Sequence, residues 1–364
     1  MSKSTILIPT LNPDARLIDY VRELISQGFD HFIVVNDGSS EECSPIFDEI
    51  QKLSTQEIDI QILRHAINLG KGRGLKTGIN YYLNHLSSKY QCGGVICVDS
   101  DGQHHSEDVV KIDNYLSEAE NDALVLGCRD FELDNVPFKS RFGNKLTRSV
   151  FKFCFGKDII DTQTGLRGFT NGLLPKLLDL SGERFEYETN VLIECVKRGV
   201  EIQQIKIHTI YEDGNKGTHF DPIIDSIKIY RLIFARFAKY LLASLSSFII
   251  DCLLFWILCR LFYAIGDNKI WVATIGARIV SSIYNYFINK TIVFEYKGST
   301  GKSLFKYFLL CIVTMLISGF AVRQLYGIIG KYEVLIKCVV DSLLFMCNYV
   351  IQQKGIFNNT GDNK

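Results

Sequence analysis

"GGVICVDSDGQHH", residues 93 to 105, is the stretch on which the fold turns. Val95, Ile96, Cys97 and Val98 form an unbroken apolar run, the pattern of a strand buried on both faces in a parallel sheet. Asp99, Ser100, Asp101, Gly102 and Gln103 follow at once, so two carboxylates stand one residue apart at the mouth of a buried strand. Each makes the other costlier to ionise.

The same alternation extends on either side. "TILIPT" (5 to 10), "HFIVVND" (31 to 37), "DIQILRH" (59 to 65) and "ALVLGC" (123 to 128) read as further strands. Segments 14 to 27, 44 to 53, 72 to 89 and 106 to 119 read as the helices between them. Strands alternating with helices predict an α/β domain with a parallel sheet covered on both faces and right-handed crossovers. Ligands in such sheets bind beyond the carboxyl ends of the strands. The residues standing there are Pro9, Thr10, Leu11 and Asn12, then Asn36 to Ser40, His65, Asp99 to Asp101, and Arg129.

Composition sets the outer limits. The 364 residues suffice for two domains, and 47% of them are hydrophobic. A formal net charge of zero offers no basic field for nucleic acid. The apolar run near the first residues is too short for a secretory leader, so none is expected. Eleven cysteines without a CxxC pair are expected to be reduced core or membrane residues. Residues 1–220 are therefore expected to form a cytosolic domain.

The doublet has a chemical use. A turn after the strand can direct both carboxylates into one cleft. Their oxygens suit Mg²⁺ or Mn²⁺, hard ions that bridge to substrate phosphates, cancel the repulsion between the acids and stabilise a departing diphosphate. Gln103 can add a neutral oxygen, while His104 and His105 read as surface histidines beside a helix start. Each neighbouring motif keeps a plain structural alternative. "DGSS" (37 to 40) also fits a turn feeding a helix cap. "NLGKGRGLKTG" (68 to 78) also fits a flexible loop, although its glycines would let backbone N–H groups and Lys71 or Arg73 approach a phosphate.

Taken in order, "IPTLN", "VVNDGSS", "NLGKGRGLKTG", "DSDGQH", "DTQTGLRGF" and "TIYEDGNKGTHF" resemble glycosyltransferase family 2, in the branch of polyprenyl-phosphate (dolichyl-phosphate mannose synthase-like) sugar transferases. The resemblance spans roughly residues 4 to 235. It implies a GT-A, Rossmann-like fold binding a nucleotide sugar, with Asp37 on the base or ribose side and Asp99, Asp101 and Gln103 on the metal and diphosphate. By the same resemblance Pro9, Thr10, Asn12, Gly38, Ser39, Asn68, Gly70, Lys71 and Lys216 would contact substrate. Arg129, Arg141 and Arg167 would clamp the phosphates, for which a planar guanidinium is suited. Arg148 reads instead as part of a solvated basic face. Glu183, Glu186 and Glu188 offer a general base, which an anionic phosphate nucleophile does not require.

The last third of the chain is different in kind. "DPIIDSIKIYRLIFARFAKY" (221 to 240) has Lys228, Arg231 and Lys239 near one face and apolar residues on another, which predicts an interfacial helix. A core helix is the alternative. Stretches near 241–262, 270–289, 307–329 and 334–352 each approach the ~20 residues needed to cross a bilayer, so residues 241–354 predict a four-helix transmembrane domain. Lys290, Lys297, Lys302 and Lys306 around the middle connection place that loop and both termini in the cytosol. The block containing "SSIYNYFINKTIVF" (281 to 294) resembles the GtrA-like membrane domain. Four charges fall inside the spans, and matching depths suggest the pairs Asp251–Arg278 and Arg323–Asp341.

The whole predicts a multi-pass protein of the cell (cytoplasmic) membrane. It would be an inverting glycosyltransferase moving a hexose from a UDP- or GDP-sugar to a polyprenyl phosphate such as undecaprenyl phosphate, for cell-envelope glycans. The oligomeric state, homo-oligomer included, is left open. Rivals are a glycosyltransferase for another envelope acceptor, and a flippase or scaffold whose soluble half senses nucleotide sugar. A processive synthase is disfavoured because its QxxRW signature needs a tryptophan, and Trp256 and Trp271 both lie in the membrane half.

Overall fold

The structure, a computed structural model, describes residues 3–88, 93–131, 136, 138–208, 224–262 and 268–358. Its chain divides into two compact units, Met1–Lys152 with Lys157–Leu232, and Phe153–Gly156 with Ile233–Lys364.

The first unit is built on seven strands: β1 (Thr5–Thr10), β2 (His31–Asn36), β3 (Asp59–Arg64), β4 (Gly94–Cys97), β5 (Ala123–Arg129), β6 (Arg167–Thr170) and β7 (Glu201–Ile207). Helices α1 (Arg16–Ser26), α2 (Ser44–Lys52), α3 (Lys71–His85), α4 (Ser106–Glu118), α5 (Phe138–Phe155), α6 (Pro175–Leu178) and α7 (Glu186–Arg198) lie between them in sequence. The spatial order is β3-β2-β1-β4-β6-β5-β7. Every residue of β1, β2 and β4 is buried, as continuous apolar runs require, whereas edge strands β3 and β7 expose part of their length. Ile6, Ile8, Phe32, Val34, Ile96, Val98 and Val125 join the apolar faces of α1, α2 and α4 in one core.

The sheet departs from the wholly parallel arrangement expected. Strand β6 runs antiparallel to both its neighbours, with Cys97 opposite Arg167 and Gly94 opposite Thr170. Residues 167–170 are not among the strands that the apolar runs marked, so the alternation of elements gave no sign of a reversed strand. The reversal matters because it starts β6 at the carboxyl end of β4 and so delivers residues 161–167 to the acidic doublet. Gly168 permits this packing, since a β-carbon there would meet Ile112 Cγ2 at 2.5 Å.

The second unit contains the last turn of α5, most of α8 (Ile224–Leu261), and α9 (Asn268–Ile288), α10 (Thr300–Ile329) and α11 (Glu333–Ile351). Helix α8 is continuous for 38 residues, so no break separates the expected interfacial segment from the first span. "YLLASL" (240 to 245) contains neither glycine nor proline to make one. Among the described residues three helices are long and apolar enough to cross a membrane: Ile227–Leu261, Thr300–Ile329 and Glu333–Ile356. The expected second span, 270–289, is helical as α9 and is not among these three. The described cysteines are all free.

This unit also contains a repeat that the sequence reading did not detect. Asn285-Tyr286 near the end of α9 recurs as Asn348-Tyr349 near the end of α11. Each helix then widens into a five-residue π-helical segment, Asn289–Val293 and Gln352–Ile356, followed by Phe294 and Phe357. Lys239-Tyr240 on α8 recurs as Lys306-Tyr307 on α10. The ring contacts exchange accordingly. Tyr240–Tyr349 (5.1 Å) mirrors Tyr307–Tyr286 (5.5 Å), and Tyr286–Phe357 (5.8 Å) mirrors Tyr349–Phe294 (5.7 Å). The equivalent residues Asn289 and Gln352, 63 positions apart, bond to each other at 3.1 Å, and Phe294 stacks on Phe357 at 5.2 Å. The contacts of the pair α8 and α9 are thus repeated in the pair α10 and α11.

The same repeat accounts for the charges. Arg278 Nη2 lies 3.3 Å from Asp251 Oδ2, as depth suggested. Asp341 does not take Arg323. It accepts Ser318 Oγ at 2.5 Å and pairs with Lys337 at 2.9 Å. Ser318 and Asp341 occupy the places of Asp251 and Arg278 in the second hairpin. Equal depth is necessary for a pair, but the rotation of each helix decides which side chains face.

Candidate active site

Asp99 follows β4 at the centre of the sheet, and three elements hold it. Lys71 Nζ, at the first residue of α3, lies 2.7 Å from Oδ1. His104 Nε2 lies 3.4 Å from Oδ2. Gly165 backs the carboxylate so closely that a β-carbon there would stand 2.0 Å from Oδ2. Lys71 also reaches Glu188 Oε1 at 3.2 Å, and Arg167 Nε lies 3.7 Å from the same oxygen. His104 is therefore a buried neighbour of Asp99 and not the surface histidine expected; His105 is exposed.

Asp101 is half-buried and accepts the Gln103 N–H at 3.1 Å. Burial, then the nearby Asp99 charge, raises its carboxyl above the ordinary range. Burial pushes Asp99 the same way, but the Lys71 ammonium and then His104 outweigh it, holding Asp99 well below that range. Burial acts against the Lys71 charge, and Asp99 and Glu188 overcome it, so its ammonium is held above the usual value. Of the two acids, Asp101 is the one short of positive charge.

That imbalance bears on a metal ion. Among the described residues no three His, Cys, Asp or Glu side chains converge as a complete metal set. The donors on hand are two carboxylates one residue apart with Gln103 beside them, all hard oxygen chemistry. An ion such as Mg²⁺ or Mn²⁺ uses few protein ligands and completes its shell with water and phosphate oxygens, so these residues fit it.

The residues after β1 and β2 form a second cluster. Asp37, 4% exposed, accepts the Leu69 and Gly70 N–H groups at 2.9 and 2.8 Å. His65 Nδ1 lies 2.7 Å from Asp37 Oδ1 and its Nε2 lies 2.9 Å from Thr77 Oγ1. The carboxylate expected to hold the base or ribose is thus occupied in shaping the loop before α3. Asn12, at a positive φ of 50° that asparagine tolerates, donates its N–H to Ser39 Oγ and accepts the Ser40 N–H, both at 2.9 Å. Pro9, Thr10 and Ser39 are buried, Gly38 is intermediate, and Asn68 is exposed.

The glycines of residues 68–78 serve close packing in this structure. Gly70, at φ +103°, has its missing β-carbon aimed 2.4 Å from Glu183 O, and the one missing at Gly78 would meet Leu7 Cδ1 at 2.1 Å. Arg73 is engaged by Glu183 at 2.6 Å.

The arginines divide by environment. Arg167, 1% exposed, donates to Thr164 O at 2.8 Å, Glu188 O at 2.7 Å and Thr162 O at 3.3 Å, which ties the 161–167 segment to α7. Arg129 makes a two-pronged pair with fully buried Asp161, 2.7 and 3.1 Å. Arg148 pairs with Asp158 at 2.6 Å. Arg141 lies half-buried on α5. Lys216 and the segment 209–220 lie outside the described residues. Sequence reasoning passed over Asp161, Thr164 and Gly165 as individuals, although "DTQTGLRGF" had been singled out. Glu183 and Glu186 stand apart from the doublet's cation, and Glu188 alone of that trio bonds to Lys71.

Both parts of the chain match known families. The pattern of glycosyl transferase family 2 matches residues 5–178, and that of the GtrA/DPMS transmembrane domain matches residues 239–357. Over 238 residues the chain is 29% identical to an uncharacterized protein of Methanocaldococcus jannaschii, covering 64% of this chain and 91% of that one. Over 253 residues it is 27% identical to the UDP-N-acetylglucosamine–dolichyl-phosphate N-acetylglucosaminyltransferase of Methanococcus voltae, covering 65% and 97%. Among solved structures, mannosyl-3-phosphoglycerate synthase from Rubrobacter xylanophilus superposes with a TM-score of 0.46 at 10% identity, over 65% of this chain and 73% of that one. The chain thus joins a glycosyl transferase family 2 domain, with a mixed sheet of GT-A type, to a GtrA/DPMS transmembrane domain.

Proposed function

We propose that the first unit transfers a hexose from a UDP- or GDP-linked donor to a polyprenyl phosphate at the cytosolic face of the membrane, with inversion. The observation that carries this reading is the acidic doublet at the carboxyl end of β4, with Asp101 short of positive charge in a family 2 domain. Asp99 and Asp101, with Gln103, would hold Mg²⁺ or Mn²⁺, which supplies charge stabilisation for the departing nucleotide diphosphate. The acceptor phosphate oxygen is already an anionic nucleophile, so its positioning by arginine matters more than a base. Arg141, half-buried on α5, is the residue we assign to that clamp; Arg167 is buried against carbonyls and Arg129 pairs with Asp161. The Methanococcus voltae relative, whose name specifies a UDP-sugar and dolichyl phosphate, supports a lipid-phosphate acceptor and puts a UDP-linked donor first in line. The test is incubation of membranes containing the protein with labelled UDP- and GDP-sugars and polyprenyl phosphate. Label recovered in lipid extract supports the reading. Label transferred to a water-soluble acceptor and never to polyprenyl phosphate overturns it.

A further inference from the structure

Lys71 is an odd residue to find where it stands. It occupies the first position of α3, the end of a helix that disfavours a cation. Its side chain is 18% exposed. Two carboxylates hold it there against that cost, Asp99 Oδ1 at 2.7 Å and Glu188 Oε1 at 3.2 Å. Asp99 cannot retreat, because the Gly165 backbone closes the space behind it. An ammonium on a flexible four-carbon stem can pass between two acceptors, which a rigid guanidinium fork cannot do as readily.

We propose that Lys71 is the resident counter-cation of the doublet: it neutralises Asp99 while no metal is bound, and it yields Asp99 to the divalent ion while Glu188 retains the ammonium. The proposal rests on the reading that the doublet binds such an ion. Charge makes the exchange necessary. Asp99, Asp101 and Glu188 bring three negative charges against the fixed two of Lys71 and Arg167, and His104 stands on Asp99, so Asp101 is the carboxylate with no cation bonded to it among the described contacts. A divalent ion on Asp101 would lie close to Lys71, and like charges at that range repel. Glu188 provides the ammonium with a place to stay without leaving the site.

The test is Mn²⁺ binding to the full chain in detergent without nucleotide, read from the paramagnetic resonance of free Mn²⁺. Lys71→Met should bind Mn²⁺ about ten-fold more tightly, the scale of removing one like charge at this distance. Glu188→Gln should act in the opposite direction and weaken binding, because the ammonium loses its second acceptor and stays on Asp99. Arg73→Met, which removes a charge from the same turn of α3 but one held by Glu183, should leave binding unchanged. Wild-type binding that Asp101→Asn abolishes but Lys71→Met leaves unchanged overturns the proposal alone. Mn²⁺ binding by none of these proteins overturns the metal reading and the proposal together. If Lys71→Met does not fold, the sign of the Glu188→Gln effect decides, and tighter binding refutes.

Discussion

Gly165 and Asp99 are in contact so close that no side chain fits between them: an added β-carbon would lie 2.0 Å from Asp99 Oδ2 and 2.5 Å from its Cγ. Gly165→Ala must therefore push the Asp99 carboxylate toward Lys71 or displace the 161–167 segment. Transfer should fall about 100-fold, the scale of a misplacement near 1 Å. Sugar transfer and a thermal melt measured together check this, and full activity in Gly165→Ala would show that the position of Asp99 is unimportant.

Asp101→Asn keeps shape and removes the charge that stands uncompensated. We expect transfer to be nearly abolished while the melt is unchanged or slightly raised, since a buried like-charge repulsion with Asp99 is relieved. Activity in EDTA equal to that in Mg²⁺ or Mn²⁺ would dispose of the metal assignment.

Asp161 is fully buried and its two oxygens face Arg129. Asp161→Leu should destabilise the first unit by about 3 kcal/mol, because breaking a buried pair strands the partner. Adding Arg129→Met should recover much of the loss. Denaturant unfolding of the two single variants and the double is the measurement, and simple additivity would mean the pair is not coupled.

Tyrosines at equivalent places of the repeat each hold a backbone carbonyl in the second unit. Tyr286 donates to Thr300 O at 3.0 Å and Tyr349 to Cys154 O at 2.7 Å. Tyr286→Phe and Tyr349→Phe should each cost about 1 kcal/mol, the usual net worth of such a bond. Arg323→Leu and Asp341→Leu should combine additively, as their side chains are not each other's partners. Melts in detergent decide both points, and strong coupling between Arg323 and Asp341 would contradict the helix rotations described.

Asp158 gives a pH signature. Hydrogen bonds from Arg148 and then Lys152 hold its carboxyl down at about 2. A carboxyl lowered on folding stabilises the protein above its unfolded value near 3.8, and the contribution is lost as pH falls from there through about 2. The group is more than one-third exposed, so screening limits the effect to under about 1 kcal/mol. Comparing wild type with Asp158→Asn in denaturant melts from pH 5 downward should show the two curves converging at the acid end.

What the linear chain determined by itself was the first five strands, the four helices among them and the place of the acidic doublet. Continuous apolar runs sufficed for β1, β2, β4 and β5, because burial on both faces is a property of composition along the strand. The carboxylates of Asp99 and Asp101 were legible because acids at the end of such a run have no packing use. The apolar stretches after residue 240 were equally plain. Direction and facing were decided only by the tertiary structure. The reversal of β6, pairing Cys97 with Arg167, brings Gly165 and Arg167 to Asp99 across more than sixty residues of sequence. Arg167 reads as a phosphate clamp until its burial is seen, since a guanidinium serves carbonyls and phosphates with the same donors. Asp37 likewise has as many acceptors for backbone N–H groups as for a nucleoside. Asp251 found Arg278, but Asp341 found Ser318 and Lys337, because depth along a helix is written in residue count and rotation about its axis is set by what packs against it.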